Sequence, residues 1–348
     1  MERRNFIKSI TAFLGISMLP NVLKSSSVNN DLIFPSVLKQ GDTVGVISPS
    51  TAVSDPDDIA KAKEALDYFG LKMKMAPHVI RGAGYKSRTV DERLEDLHNM
   101  FRDREIKAVF CIRGGYGSGQ LLDKIDYELI KNNPKIFLGY SDITAMHLAI
   151  HKFSNLITFH GPVLLSSFST FTTTNFQKAL FTTEPLGTLT NPDSQSNFRK
   201  LHPTRCIRSG TAKGKLIGGN LTLVCSTLGT PYEIDTQGKI LFLEDVGEEP
   251  YRIDRMLTQL WLSKKLQAAS GIVFGECSGC NYDKLESSRV WDYSFGEVLD
   301  FHLSRLNTPV FSGLMFGHTS EQLTLPIGVE AEINSEIGSL TILESGVK

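Results

Sequence analysis

From residue 35 to residue 162 the chain alternates short apolar runs with amphipathic stretches, and that alternation leaves few folds open. Residues 44–47 suit one buried strand, ended by Ser48-Pro49-Ser50. Ser54-Asp55-Pro56 opens a helix with proline in its first turn; Ile59, Ala62, Leu66 and Phe69 supply the apolar stripe, and Gly70 stops it. Residues 72–75 predict a second strand. Thr89 with Glu92 forms a capping box for a helix through Met100. A third strand at 108–112 runs into a glycine-rich loop, Arg113-Gly-Gly-Tyr-Gly-Ser-Gly119, and a helix from about Gln120. A fourth strand at 136–138 delivers Gly139-Tyr140-Ser141-Asp142, with a helix from there to Phe153, and a fifth at 156–159 closes on His160-Gly161-Pro162. Strands alternating with helices predict an α/β class, here an open parallel sheet flanked by helices over residues 35–165.

The texture then changes. Residues 166–208 are rich in Ser, Thr, Asn and Phe with weak periodicity, and read as a linker or lid. Residues 209–348 predict a strand-rich, barrel-like α/β domain, with strands at 213–217, 239–243, 271–274 and 308–312. Helices are expected at 251–262 and 294–306, and alternation at 329–333 and 339–343 predicts a terminal hairpin. A length of 348 residues fits two such domains.

Charged residues make up 22% and the formal net charge is −1, with no Lys/Arg block. That excludes the electrostatic footprint of a nucleic-acid binder and favours a small-molecule or peptide substrate. Residues 1–30 read as an export segment: Arg3-Arg4 with Phe6 resembles a twin-arginine signal ahead of an uncharged run at 10–23. The alternatives are an amphipathic tail or an uncleaved anchor in a cytoplasmic protein. An exported, or periplasmic, location with no membrane span after processing is the expectation. Five cysteines are no disulfide framework; Cys277-Ser-Gly-Cys280 is a CxxC that forms either a local disulfide or two thiols, and no second pair completes a four-sulfur zinc site.

Ligands of an open α/β sheet bind beyond the carboxyl ends of its strands, where two loops qualify. The loop at 113–119 can turn backbone amides toward an anion, but Gly115-Tyr-Gly117-Ser-Gly119 lacks the glycine register of a dinucleotide site. Ser141, at a strand-to-helix turn, is either a nucleophile facing helix N-terminal amides or an N-cap. A nucleophile needs a base and an orienting acid. His147 and His151 lie along the helix and read as packing or surface residues. His160 and His318 both end strands, as do Glu244 and Asp245, and the pattern does not choose between them.

Several pieces together resemble the LD-carboxypeptidase family, which also contains the microcin C self-immunity peptidases. They are Gly41-Asp-Thr-Val-Gly-Val46 with Ser48-Pro-Ser50, Arg113-Gly-Gly-Tyr-Gly117, Gly139-Tyr-Ser-Asp-Ile-Thr144, Gly218-Gly-Asn-Leu221, Leu228-Gly-Thr-Pro231, Phe242-Leu-Glu-Asp-Val-Gly-Glu248 and Gly317-His318. They occur in family order from about residue 35 to 330. The resemblance implies a serine carboxypeptidase that removes the terminal D-alanine of murein tetrapeptide without metal or cofactor. Ser141 would be the nucleophile and His318 the base, with Glu244 as the orienting acid and Glu248 and Glu249 close by. The serine would come from the N-terminal domain and the other two from the C-terminal domain. The backbone amides of Gly115 and Asp142 would form the oxyanion hole, with Arg113, Tyr116 and Arg252 as candidates for binding the substrate. A homodimer is implied as well. Two departures, the export segment and a long stretch at 277–300, bear on the substrate; an immunity-type amidase and a non-catalytic anion-binding protein are the alternatives.

Overall fold

The five apolar runs of the first half form β1 (Thr43–Ile47), β2 (Lys72–Met75), β3 (Ile106–Cys111), β4 (Ile136–Gly139) and β5 (Thr158–His160) in a computed structural model that describes residues 31–80, 87–192, 201–281 and 293–348. Residues 1–30, read above as an export segment, and residues 282–292 of the long stretch lie outside the described residues. The strands pair in the order β5-β4-β3-β1-β2, all parallel. β1, β3, β4 and β5 are buried along nearly their whole length, as strands covered on both faces must be.

The helices start where the capping chemistry puts them. Asp55 caps α1 (Pro56–Tyr68) with proline in its first turn, and both reciprocal bonds of the Thr89–Glu92 capping box are present on α2 (Val90–Arg102). α3 (Tyr127–Asn132) and α4 (Thr144–Ser154) complete the first half. Two helices begin differently from expectation. Residues 118–124 and 141–143 are 3₁₀ turns, and they meet: the Ser118 amide and hydroxyl bond the carboxylate and carbonyl of Asp142.

The stretch read as a linker holds regular structure. Ser169 caps α5 (Thr170–Phe181), which buries Phe176, Ala179 and Leu180 and stacks Phe176 on Phe69 with ring centroids 4.5 Å apart. Its stripe escaped notice because Thr172 and Thr173 occupy buried positions that apolar residues usually fill. β6 (Gly187–Leu189) and β7 (Arg205–Arg208) follow.

The second half builds β8 (Thr211–Asn220), α6 (Leu221–Ser226), β9 (Ile240–Glu244), α7 (Pro250–Leu262), α8 (Lys265–Ala268), β10 (Gly271–Gly275), α9 (Phe295–Leu303), β11 (Val310–Leu314), β12 (Leu325–Ile327), β13 (Glu330–Asn334) and β14 (Ser339–Ile342). Its described sheet runs β6-β14-β13-β8-β9-β10-β11-β7, with β8 to β11 parallel and the outer strands antiparallel. The predicted terminal hairpin is β13–β14. β12 instead joins the first sheet, antiparallel to β5. Lys348 bonds back to Pro35 and Val37, and residues 32–348 form one compact α/β unit with two mixed sheets and flanking helices.

Candidate active site

The loops after β1, β3 and β4 come from the switch point of the first sheet, where neighbouring connections leave in opposite directions and open a crevice. Two residues beyond β4 stands Ser141, whose φ of +65° is uncommon for any residue but glycine. What holds it there is the residue beside it. The Asp142 carboxylate accepts hydrogen bonds from Ser50 Oγ at 2.5 Å and Ser118 N at 2.8 Å, tying the serine turn to the loops after β1 and β3. On the far side, Asn220 N donates to Thr144 Oγ1 at 2.9 Å, so the end of β8 is fastened to the start of α4.

β9 and β11 aim their ends at the same place. His318 Nε2 accepts from Ser141 Oγ at 3.0 Å, and His318 Nδ1 donates to Glu244 Oε2 at 2.7 Å. The His318 amide also donates to that oxygen, at 3.2 Å. Gly317 makes the approach possible: at φ +79°, a Cβ there would lie 2.2 Å from Glu244 Oε2. Glu244 is fully buried. Tyr140 packs edge-on against the His318 ring with centroids 4.9 Å apart. Burial, the largest influence on His318, lowers its pKa, but the hydrogen bond to Glu244 together with the charges of Glu244 and Asp245 outweighs it and leaves the imidazole above its usual range.

The rival candidates fall elsewhere. His160 is fully buried in the first sheet with centroids 5.2 Å from Phe242 and 6.2 Å from Tyr140, and neither ring nitrogen has a partner among the described residues. Burial holds it well below the usual histidine range. His147 is a packing residue whose Nε2 donates to Gly139 O at 2.9 Å. Asp245 is spent on structure, accepting from Asn220 Nδ2, Thr222 N, Thr222 Oγ1 and its neighbour Val246 N. Glu248 lies 3.7 Å from Arg252, and Glu249 occupies the N-cap of α7.

A cleft of about 350 Å³ opens on Ser141 and His318, lined also by Arg113, Gly115, Tyr140 and Asp58. The amides of Gly115 and Asp142 face no protein acceptor among the described residues. Gly114 brings the loop against the serine: a Cβ there would lie 3.0 Å from Ser141 Cβ. Arg113 makes no ion pair among the described residues and is the cleft's cation. Tyr116 and Arg252 are not among the residues that line the cleft. The Tyr116 amide bonds Thr51 Oγ1 at 3.1 Å with its side chain exposed, and Arg252 lies on α7 with Nε 3.1 Å from Tyr251 Oη. Sequence reasoning missed the roles of the Asp142 carboxylate, Ser50 and Arg93: the first two stand in matched motifs that say nothing of their contacts, and Arg93 shows only its place on a helix. Cys277 and Cys280 are joined in a disulfide. A hydroxyl bonded to an imidazole that a buried carboxylate orients is an arrangement suited to nucleophilic attack on a carbonyl.

Comparison with known proteins gives the same direction. A family model described as the LD-carboxypeptidase N-terminal domain matches residues 44–161, and one described as the LD-carboxypeptidase C-terminal domain matches residues 213–333. The chain is 42% identical over 318 residues to the probable murein peptide carboxypeptidase of Bacillus subtilis, covering 90% of this chain and 95% of that protein. It is 33% identical over 297 residues to the murein tetrapeptide carboxypeptidase of Pseudomonas aeruginosa, covering 83% and 92%. Among solved structures it is similar to the microcin C7 self-immunity protein MccF in complex with aspartyl sulfamoyl adenosine. That likeness has a TM-score of 0.80 at 27% identity, over 91% of this chain and all of that one.

Proposed function

The chain belongs to the LD-carboxypeptidase family and is a serine-type peptidase, and from that premise we propose that it hydrolyses the bond before the terminal D-alanine of murein tetrapeptide through Ser141, His318 and Glu244. The observation that carries the reading is the unbroken hydrogen-bonded line from the Ser141 hydroxyl through His318 to buried Glu244. His318 Nε2 takes the Ser141 proton as Oγ attacks the scissile carbonyl carbon, and Glu244 steadies the imidazolium that forms. The oxyanion is received by the amides of Gly115 and Asp142. Collapse of the tetrahedral intermediate expels the D-alanine amine, which takes the proton from His318. Water then gives a proton to His318 and attacks the acyl-enzyme, and Ser141 Oγ leaves by taking that proton back from His318, which frees the shortened peptide and restores the enzyme. Arg113 meets the free carboxylate that defines a carboxypeptidase substrate.

Mass spectrometry of tetrapeptide incubated with the purified protein tests this. The expected products are tripeptide and D-alanine, both absent with Ser141→Ala. An amidase of the immunity type is the second reading, favoured by the likeness to MccF solved with a sulfamoyl nucleoside. Cleavage of aminoacyl sulfamoyl adenosine with tetrapeptide left intact would replace the first reading with this one. Labelling of Ser141 by a fluorophosphonate separates both from a protein that only binds anions. We further propose export by way of residues 1–30, which suits the Cys277–Cys280 disulfide, since such bonds persist in oxidising compartments. Cell fractionation tests the location, and light scattering tests the homodimer that the resemblance implies.

A further inference from the structure

Apart from its bond to Ser141, His318 is held by three hydrogen bonds, and Glu244 accounts for two of them. The third is its carbonyl, which accepts a 2.6 Å hydrogen bond from Ser278 Oγ. Ser278 sits in the short loop after β10 that the Cys277–Cys280 disulfide closes. The backbone of that loop is fastened to the turn after β9: Val246 and Ser278 form a bridge, and Gly247 N donates to Ser278 O at 2.9 Å. The loops after β9, β10 and β11 therefore converge on one residue. We propose that Ser278 is a positioning residue for His318, and that the Cys277–Cys280 disulfide is the clamp that keeps its hydroxyl on the His318 carbonyl. This rests on the reading of His318 as the base that serves Ser141.

The need for a clamp follows from exposure. Ser278 is exposed, and water competes for an exposed hydroxyl, so an unconstrained serine would hold the carbonyl only part of the time. A ring of four residues closed by a covalent bond has few conformations, and the hydroxyl starts where the carbonyl needs it. Fixing the carbonyl fixes the plane of the peptide from which the His318 side chain projects, and with it the angle at which Nε2 meets Ser141 Oγ. Small errors in that angle are costly for proton transfer.

The test is the rate at which a fluorophosphonate labels Ser141, which reports activation of the hydroxyl independently of the peptide substrate. Ser278→Ala is expected to lower the maximal labelling rate about fivefold with the probe's half-saturation concentration unchanged, the loss of one ordinary hydrogen bond. Ser278→Thr, which keeps the hydroxyl, is expected to restore most of the rate. The acid limb of the Ser278→Ala profile should move to lower pH as the contact with Glu244 loosens. Cys277→Ala/Cys280→Ala is expected to match Ser278→Ala, and adding Ser278→Ala to it should cost little more, because the two act through one contact. A wild-type rate in Ser278→Ala overturns the positioning role. Losses that multiply in the triple variant, or a wild-type rate in the double cysteine variant, overturn the clamp. A wild-type protein that takes no label removes the reading of Ser141 as nucleophile, and this inference with it.

Discussion

Glu244 puts a single oxygen on both the amide and the ring of His318; burial is the largest influence on the imidazole and lowers its pKa, but the Glu244 hydrogen bond and charge, with that of Asp245, outweigh it. Glu244→Gln keeps the shape and removes the charge. Burial then dominates and the His318 pKa falls. We expect kcat/KM on tetrapeptide to drop by roughly a hundredfold or more, and the acid limb of its pH profile to shift downward, since neutral His318 is the active form. An unshifted limb would contradict the pairing. The same raised pKa contributes folding stability below the unfolded value and loses it as pH rises through the folded one. Ser141, His318 and Glu244 were each visible in the sequence as residues that end strands. Their meeting was not, because Ser141 and His318 are 177 positions apart and no local periodicity spans that distance. Family resemblance supplied the choice of His318 over His160, and burial beside Phe242 gives a physical reason for it. Asp142 was legible only as a neighbour of the serine; that its side chain would face Ser50 and Ser118 depends on loops that sequence patterns leave open.

At the level of elements, the capping residues announced their helices and the apolar runs their strands, while pieces without a pattern stayed hidden. β12 is three residues long, too short for alternation, and α5 hides its stripe behind threonines. Arg93 shows what a correct helix assignment still leaves out. It lies on α2 almost fully buried, and its guanidinium donates to Pro49 O at 2.7 Å, Gly117 O at 2.8 Å and Gln120 Oε1 at 2.8 Å. One side chain thus holds the loops after β1 and β3 together, the same pair that Asp142 grips from the serine side. Arg93→Met fills similar space but takes the donor from Pro49 O and Gln120 Oε1, while Gly117 O keeps only the Gln120 amide. We expect a loss of about 2–3 kcal/mol in urea denaturation together with slower fluorophosphonate labelling of Ser141. Arg93→Lys should rescue little of either, since one ammonium does not reproduce a planar fork with donors in three directions. Full stability in Arg93→Met would show that the glycine loop is held by other means.

The two sheets share a buried polar seam, and this sets how the whole molecule meets acid. β12 carries the second half of the chain onto the edge of the first sheet, so the first sheet keeps its full set of strands only while both halves are folded. One unfolding transition is the consequence. Along the seam, His160 packs against Phe242, and His147 lies 6.4 Å from it, centroid to centroid. Burial lowers both pKa values, that of His147 to about 4, although its hydrogen bond to Gly139 opposes the shift. A histidine depressed in this way contributes its stability fully above the unfolded pKa near 6.5, and loses it as pH falls toward the folded value, because only the unfolded chain takes up the proton. Between pH 6.5 and pH 5 His147 withdraws about 1.6 kcal/mol, and His160, lowered for the same reason, adds to the fall. Most carboxylates titrate below that window, so urea midpoints at pH 7.5, 6.5 and 5 isolate the histidines. We expect a single transition at every pH and a steep fall only across the lower interval. His147→Gln, which can still donate to Gly139 O, should flatten that fall by one group's share. Equal midpoints at pH 6.5 and pH 5 would mean that the seam admits protons without opening, and that the two sheets are less tightly closed around it than their packing implies.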